Sequence, residues 1–367
     1  EEKKLVPKRR FEGFEGDWRL QSVKNMGKKY YGGGTPRTSN SNFWNGDIPW
    51  VQSSDLKENE VWIKKIKNSI TQEGLHNSAT KLVPANSIAI VTRVGVGKLA
   101  FIPYEYTTSQ DFLSISHLNL SYKFAVYAIY QLLKKEKNSV QGTSIKGMTT
   151  DELLSFKLYI PGEQNEQQKI GKFFRVLDER IANQERKIAK VKALKEAYLA
   201  EMFPQEGETV PKRRFKGFKG EWRKCLLKDV IISEIKGQVN ASMLGGDTPY
   251  LETEYLNGGK ASYVEATKNV EKKDLIILWD GSNAGTVYHG FEGALGSTLK
   301  AYKPKYNGTF LYYYLRRYQN QIYKNYRTPN IPHVINTFTN DFYIEIPNSK
   351  EQQKIGAFFK NLDDQIE

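Results

Sequence analysis

Apolar positions fall in three rhythms along the chain. Short runs bounded by Gly, Pro or Asn, such as residues 87–94 (SIAIVTRV) and 274–279 (DLIILW), predict strands. Residues 122–135 and 309–323 carry an apolar stripe at helical spacing and predict helices packed on those strands. The third rhythm is longer. Residues 164–203 contain no Pro and a single Gly, Gly171. Their apolar side chains fall at Ile170, Phe174, Leu177, Ile181, Ile188, Val191 and Tyr198, in alternating steps of four and three, with Gln184 and Lys195 as polar interruptions. That is a heptad seam, and it predicts one helix of roughly 60 Å at about 1.5 Å per residue. A helix this long and polar must bury its seam. Pairing with a second such helix as a coiled coil is one way, and packing on its own domain is the other.

A second such helix begins further on, because the chain repeats itself. Residues 6–19 (VPKRRFEGFEGDWR) and 210–223 (VPKRRFKGFKGEWR) agree at eleven of fourteen positions, 204 apart. Residues 166–181 (EQQKIGKFFRVLDERI) and 351–366 (EQQKIGAFFKNLDDQI) agree at eleven of sixteen, 185 apart. The offsets differ by 19, so the second intervening segment is 19 residues shorter than the first. Between the motifs identity is low and only pattern persists: IPWV at 48–51 answers TPYL at 248–251, residues 88–97 answer 275–285, and both segments leave through Ile-Pro at 160–161 and 346–347. One scaffold carrying two different surfaces is the simplest account. The expected organisation is an α+β chain with a strand-rich domain at 1–162, a spacer helix at 163–206, a second strand-rich domain at 207–347 and the start of a second spacer helix at 348–367. That second helix stops before its heptads are complete, and the chain begins Glu1-Glu2-Lys3-Lys4 without an initiating Met; both ends are read as trimmed or processed.

Composition narrows the class. Hydrophobic residues at 39% suffice for two cores, as a length of 367 also suggests. Lys and Arg exceed Asp and Glu by 55 to 41, a net charge of +14 that fits a polyanionic partner such as nucleic acid and, equally from charge alone, a merely cationic surface. The single cysteine, Cys225, excludes an internal disulfide and fits a reducing, cytoplasmic compartment. No apolar run approaches the ~18 residues that would span a membrane.

Catalytic chemistry finds little support. His76, His117, His289 and His333 are scattered without ligand spacing, so no metal site is expected. Gly95-Val96-Gly97-Lys98 resembles the end of a phosphate-binding loop, but Thr92 and Leu99 stand where Gly and Ser or Thr are required. The Gly32-Gly33-Gly34 run suits a mobile turn, the Phe11–Phe14 stretch lacks the spacing of a methyl-donor loop, and no Asn-Pro-Pro-aromatic tetrapeptide is present. Asp247 with Glu271 and Lys273 fits a nuclease pattern only as a Lys-rich chain does by chance. No nucleophile, base and orienting group stand out.

Reading DNA needs hydrogen-bonding side chains on loops, with cations to hold phosphates. In the first domain residues 28–42 (KKYYGGGTPRTSNSN) have that composition, and Lys28, Lys29, Tyr30, Thr35, Arg37, Thr38, Ser39 and Asn40 are the candidates. Arg93 and Lys98 flank a Gly-rich turn, and Thr143, Ser144 and Lys146 lie in another polar loop. The second domain offers Lys236, Gln238, Asn240 and Ser242, then Ser282 and Asn283, then Arg327, Thr328, Asn330 and His333. For each set the bland reading is a solvated loop. Arg9, Arg10, Arg213 and Arg214 sit in the repeated motif, and identity in both copies suits backbone contact or packing, not the reading of different sequences.

These features together resemble the specificity (S) subunits of type I restriction–modification enzymes. The resemblance rests on GGTP at 33–36, Ile48-Pro49-Trp50-Val51 followed by Ser53, Ser54, Asp55 and Leu56, the Arg93-Val94-Gly95-Val96-Gly97-Lys98 turn, and the Ile-Pro exit into EQQKIG and a long helix, in an order repeated twice. It implies two target-recognition domains in pseudo-symmetric tandem, each reading half of a split, asymmetric site in double-stranded DNA, with the long helices paired as an antiparallel coiled coil that fixes the spacer. It implies docking of two methyltransferase subunits and two motor-nuclease subunits, which would use S-adenosylmethionine, ATP and Mg, in a system that methylates host DNA and defends against foreign DNA. The chain itself would be non-catalytic and hold no cofactor. The second domain departs from the pattern in lacking GGTP; Gly245-Gly246-Asp247-Thr248-Pro249 is the nearest counterpart. A tandem-domain regulator that binds DNA without catalytic partners is the alternative.

Overall fold

The computed structural model describes residues 6–139 and 147–367, and the chain divides into two compact units, Glu1–Ala182 and Asn183–Glu367. Among the described residues the first contains nine strands: β1 (Arg19–Ser22), β2 (Gly27–Gly32), β3 (Trp44–Val51), β4 (Asn68–Ile70), β5 (Ser87–Val91), β6 (Leu99–Ile102), β7 (Thr107–Thr108), β8 (Phe112–Leu118) and β9 (Lys157–Ile160). With them run the helices α1 (Gln72–His76), α2 (Tyr122–Ser139) and α3 (Thr150–Ser155), and the long α4 (Gln164–Glu201), whose 38 residues cross from the first unit into the second. The second unit contains β10 (Arg223–Leu226), β11 (Ile231–Lys236), β12 (Leu244–Leu251), β13 (Tyr263–Val264), β14 (Leu275–Leu278), β15 (Val287–His289), β16 (Ala294–Leu295), β17 (Leu299–Pro304) and β18 (Tyr343–Ile346). Its helices are α5 (Thr253–Leu256), α6 (Gly308–Arg317), α7 (Gln319–Asn325), α8 (Phe338–Asp341) and α9 (Ser349–Asp364). The helix expected over 309–323 is thus two helices, parted at Tyr318, whose hydroxyl donates to the Pro204 carbonyl.

The two units share one topology. A four-stranded sheet runs β2-β8-β5-β6 in the first and β11-β17-β14-β15 in the second, a three-stranded sheet β4-β3-β7 and β13-β12-β16, and a two-stranded ribbon β1-β9 and β10-β18. Even the irregularities repeat: Ile70 faces both Trp44 and Ile48 across a bulge, and Val264 faces both Leu244 and Thr248. Most of the 19-residue difference lies in one connection, 52–86 against 252–274, between the third and fifth strands of each unit.

The unbroken apolar runs of the central strands follow from burial on both faces. Ile88 and Ile90 pack under α2 with Leu113, Ile115, Ala125 and Ile129, while Ala89 and Val91 face Val51, Ile102, Tyr106 and Phe112. In the second unit Leu275 and Ile277 pack under α6 with Phe310 and Tyr314, and Ile276 and Leu278 face Leu251, Leu295 and Leu299.

The two repeated motifs turn out to be halves of one lock. Arg10 donates from Nε and Nη2 to both carboxylate oxygens of the buried Glu166, at 2.8 Å each, and its Nη1 reaches the Gly16 carbonyl. Arg214 does the same to Glu351, at 2.7 and 2.8 Å, and its Nη1 reaches Gly220. Lys169 lies over the rings of Phe11 and Phe14, and Lys354 over Phe215 and Phe218. Gln167 and Gln352 donate to the carbonyls of Pro161 and Pro347 at the Ile-Pro exit. Packing therefore accounts for Arg10 and Arg214. Arg213 is likewise engaged, with Glu201 and over the Tyr198 ring.

Within each unit the seam of the long helix has a local use. Ile170 packs on the first core; Val191 and Tyr198 pack on the second, where Leu199, Met202 and Phe203 are buried with Ile355, Phe359 and Leu362 of α9. Ile181, at 58% exposure, has no such cover. Helix α9 packs chiefly on α6, meeting only the last turns of α4, through Tyr198–Phe358 rings at 5.1 Å and the Lys195–Asp363 ion pair. These contacts pack each helix on its own unit.

Candidate nucleic-acid interface

In the first unit the loops that follow β2, β5 and β7 and precede α3 converge on one recess of about 900 Å³. Gly32, Gly33, Thr92, Arg93, Val94, Gly95, Gln110, Phe112, Gly147, Met148, Thr149 and Thr150 line it. The chain enters through Gly33, where a Cβ would collide with the backbone of Thr108 and Ser109; only glycine lets the β2 exit lie this close to β7. The Met148 amide donates to the Thr92 carbonyl at 2.7 Å and ties the far wall to the β5 turn. Thr35 donates to Gln110 across the rim. Arg93 is exposed at the mouth with no partner among the described residues.

The predicted residues divide by what already occupies them. Lys28, Lys29, Arg37, Thr38 and Ser39 are exposed, and their side chains are uncommitted among the described residues. The Tyr30 hydroxyl donates to the carbonyls of Gly27 and Lys24, and burial raises its pKa. Asn40 caps the turn at Ser41–Phe43 by accepting from the Asn42 amide. Lys98 lies apart from Arg93, in a smaller recess of about 220 Å³ with Lys57, Glu58, Tyr130, Lys134 and Lys137. Thr143, Ser144 and Lys146 lie outside the described residues. Gln110 and Thr150 are additions that the sequence did not flag, and Val94, part of the Arg93–Lys98 turn, is not among the reading candidates from sequence: Gln110 is an isolated residue between β7 and β8, and Thr150 opens α3.

In the second unit the turn after β14 meets a hairpin at 326–334. Bridges join Arg327 to Val334 and Asp280 to His333, and the Gly281 amide donates to the Pro332 carbonyl at 2.9 Å. Arg327 is the clamp: its Nε donates to the Tyr323 carbonyl and its Nη1 to that of Ser282, both at 3.0 Å, with the guanidinium over the Tyr323 ring. Thr328 and His333 bond each other at 3.0 Å. These three build the tip. Ser282, Asn283 and Asn330 are exposed on it, with side chains uncommitted among the described residues. Lys236 and Gln238 stand exposed at the end of β11, while Asn240 caps the next turn with Ser242 as partner. The missing glycine pair of this unit is resolved differently from the sequence expectation. Gly237 makes the close approach, to the backbone of Gly296, and is the counterpart of Gly33; Gly245 and Gly246 belong to the bulge of β12.

Among the described residues no group of three His, Cys, Asp or Glu could hold a metal ion, and no helix is long and apolar enough to cross a membrane. Glu271, one of the nuclease candidates, is paired with Lys268.

A family model described as the type I restriction modification DNA specificity domain matches residues 15–193 and again 219–367. The chain belongs to this family. The specificity subunit of the type I restriction enzyme EcoR124I/EcoR124II from Escherichia coli is 36% identical over 166 residues, 42% of this chain and 40% of that protein. The MjaVIII specificity subunit of Methanocaldococcus jannaschii is 33% identical over 157 residues, 40% of this chain and 37% of the relative. The chain thus spans about two fifths of the length of these curated relatives. A putative type I specificity subunit of Mycoplasma genitalium aligns over 88% of this chain and 89% of its own length, at 23% identity. The crystal structure of a type I restriction–modification S subunit from M. genitalium superposes with a TM-score of 0.66 over 95% of this chain and 90% of that one, at 17% identity, which shows a common fold.

Proposed function

We propose that this chain is the non-catalytic DNA-sequence-recognition subunit of a type I restriction–modification complex, with each unit reading one half of a bipartite, asymmetric site. The observation that carries this is one framework bearing two unlike tips. The Arg–Glu lock, the bulge and the sheet order are the same in both units, whereas the turn after β5 carries Arg93 and Val94 where the turn after β14 carries Asp280, Gly281, Ser282 and Asn283, and Gln110 between β7 and β8 stands where the other unit has Ser297. Two identical readers would serve a palindrome; two different ones serve an asymmetric site. The net charge of +14 supplies the phosphate attraction that any such reader needs. The α4 helix, joined to both units, sets the spacer between half-sites, together with α9 in an antiparallel coiled coil. Two methyltransferase and two motor-nuclease subunits dock on this chain in the cytoplasm and bring S-adenosylmethionine, ATP and Mg; adenine methylation and cleavage are theirs.

Exchange of residues 20–162 for the corresponding segment of another specificity subunit tests the reading. Methylome sequencing of cells carrying the hybrid should report one half-site changed, with the other half and the spacer retained. A change in both halves would sink the proposal.

A further inference from the structure

The two most exposed large aliphatic side chains among the described residues are Ile331, at 78%, and Val94, at 70%. Both stand on the candidate reading tips. Single exposed aliphatics are ordinary on protein surfaces and need no account by themselves. Ile331 differs in how it is held. The Thr328 hydroxyl donates to its carbonyl, the Thr328 amide to His333 (3.0 Å), the Gly281 amide to Pro332 (2.9 Å) and the Val334 amide to Trp279 (2.9 Å). The backbone around the side chain is therefore pinned on both flanks and to the neighbouring turn, and Pro332 removes a further torsion. The fold places an isoleucine outward, at a fixed point, beside Asn330 and on the tip that carries Ser282 and Asn283. In the first unit Val94 stands next to Arg93 at the mouth of the recess. Each tip thus combines hydrogen-bonding side chains with one β-branched aliphatic.

We propose that Ile331 is a specificity-determining residue of the second unit and that it reads the 5-methyl group of a thymine. The inference rests on the DNA-reading function proposed above. Base edges in the major groove differ in donors and acceptors, and thymine alone offers an apolar group there. Asn330, Ser282 and Asn283 can satisfy the polar edges around it, and Ile331 supplies the surface that a methyl group would desolvate. A polar residue at this position would do the opposite and favour cytosine or a bare edge.

The test uses the full chain purified with its methyltransferase partner and a pool of duplexes with a randomised core, synthesised once with thymidine and once with deoxyuridine, which lacks only the methyl. The half-site left unchanged by exchange of residues 20–162 identifies the bases read by the second unit. At one position of that half-site the wild type should favour thymidine over deoxyuridine by about fourfold, the factor for burying one methyl group. Ile331→Ala should bind the two duplexes equally, Ile331→Val should retain part of the preference, and the first half-site should be untouched by either. The proposal is overturned if Ile331→Ala weakens both duplexes by the same factor, or if it changes neither. A wild-type complex that selects no sequence even from the thymidine pool fails at the earlier step, the reading of DNA itself.

Discussion

The same phenylalanine occurs in the two copies of the EQQKIG helix and meets two different fates. Phe359 of α9 is fully buried, stacked on Phe203 at 5.7 Å and against Tyr313 at 5.1 Å. Its counterpart Phe174 in α4 is 39% exposed and touches Tyr127 and Phe173. Everything beneath the helix is alike: Phe11 packs on Phe173 as Phe215 packs on Phe358, and Tyr127 donates to Asp178 as Tyr313 donates to Asp363. The difference is a lid. In the second unit the last turns of α4 and the two residues after it bring Tyr198, Leu199, Met202 and Phe203 over the helix and Lys195 to Asp363. The described residues of the first unit provide no counterpart. Sequence identity between the copies thus fixes the inner face of each helix and leaves its outer face to the surroundings.

Removing the ring should expose that difference most sharply. Phe359→Ala opens a cavity in a closed core and should cost about 4 kcal/mol, whereas Phe174→Ala, already half in water, should cost about 1 kcal/mol. Urea unfolding followed by hydrogen exchange in each unit would measure both. Equal losses would mean that Phe174 is covered in solution, and the contrast between the units would vanish. The Arg–Glu lock should show the reverse, a symmetry. Glu351→Ala removes a buried carboxylate, leaves the part-exposed Arg214 guanidinium with backbone carbonyls alone, and should destabilise the second unit by about 2 kcal/mol. Glu166→Ala should bring a comparable loss to the first unit, because the two carboxylates make the same set of bonds. A lock that mattered in one unit only would show that the lid, not the lock, holds the motif in place.

How much of this could be read from the residues follows the same division. The repeats, the long helix and the central strands were legible because each is a period in the sequence, and the period reports a face that must be buried. Helix α4 runs Gln164–Glu201, against the 164–203 expected from the Pro-free stretch and its apolar seam. The role of Arg10 and Arg214 was only half legible. Identity in both copies argued against base reading, but the partner carboxylates lie 156 and 137 residues away, beyond any local pattern. The candidate reading tips were the least legible. Arg327, Thr328 and His333 have the composition of a reading loop and spend their donors on building it. Gln110 and Ile331 carry no compositional signal and became candidates only when the fold placed them at a rim and at a tip. Gly237 was missed for a related reason: close backbone approach is a property of two segments, and the second segment, at Gly296, is distant in sequence.

The smallest of the expected effects separates the units by pH. Across the central sheets Phe101 occupies in the first unit the pairing position that His289 takes in the second, opposite Ile88 and Leu275 respectively. Phe101 cannot titrate. His289 is largely buried, its ring stacked on Tyr312, with Nδ1 at 3.0 Å from the Asp274 carbonyl and Nε2 at 3.0 Å from the Thr309 hydroxyl. A neutral ring donating to Asp274 and accepting from Thr309 satisfies both contacts. Burial lowers its pKa below the ordinary 6.5, and the hydrogen bond to the Asp274 backbone and the Asp274 charge oppose this only in part. In the unfolded chain the ring takes a proton as the pH falls through 6.5, while the folded ring resists until lower pH, so the unfolded state binds more protons in that window. The second unit should therefore be at full stability above that value and lose stability as the pH drops below it, at no more than about 1.4 kcal/mol per pH unit. His289→Phe, which installs the first unit's residue, should flatten that slope in the second unit and leave the first unit's acid response as it was. Hydrogen exchange at pH 7.5 and pH 5.5, resolved by unit, is the measurement. An undiminished slope in the variant would assign the acid sensitivity to the carboxylates that both units share, and the two cores would then differ in packing but not in charge.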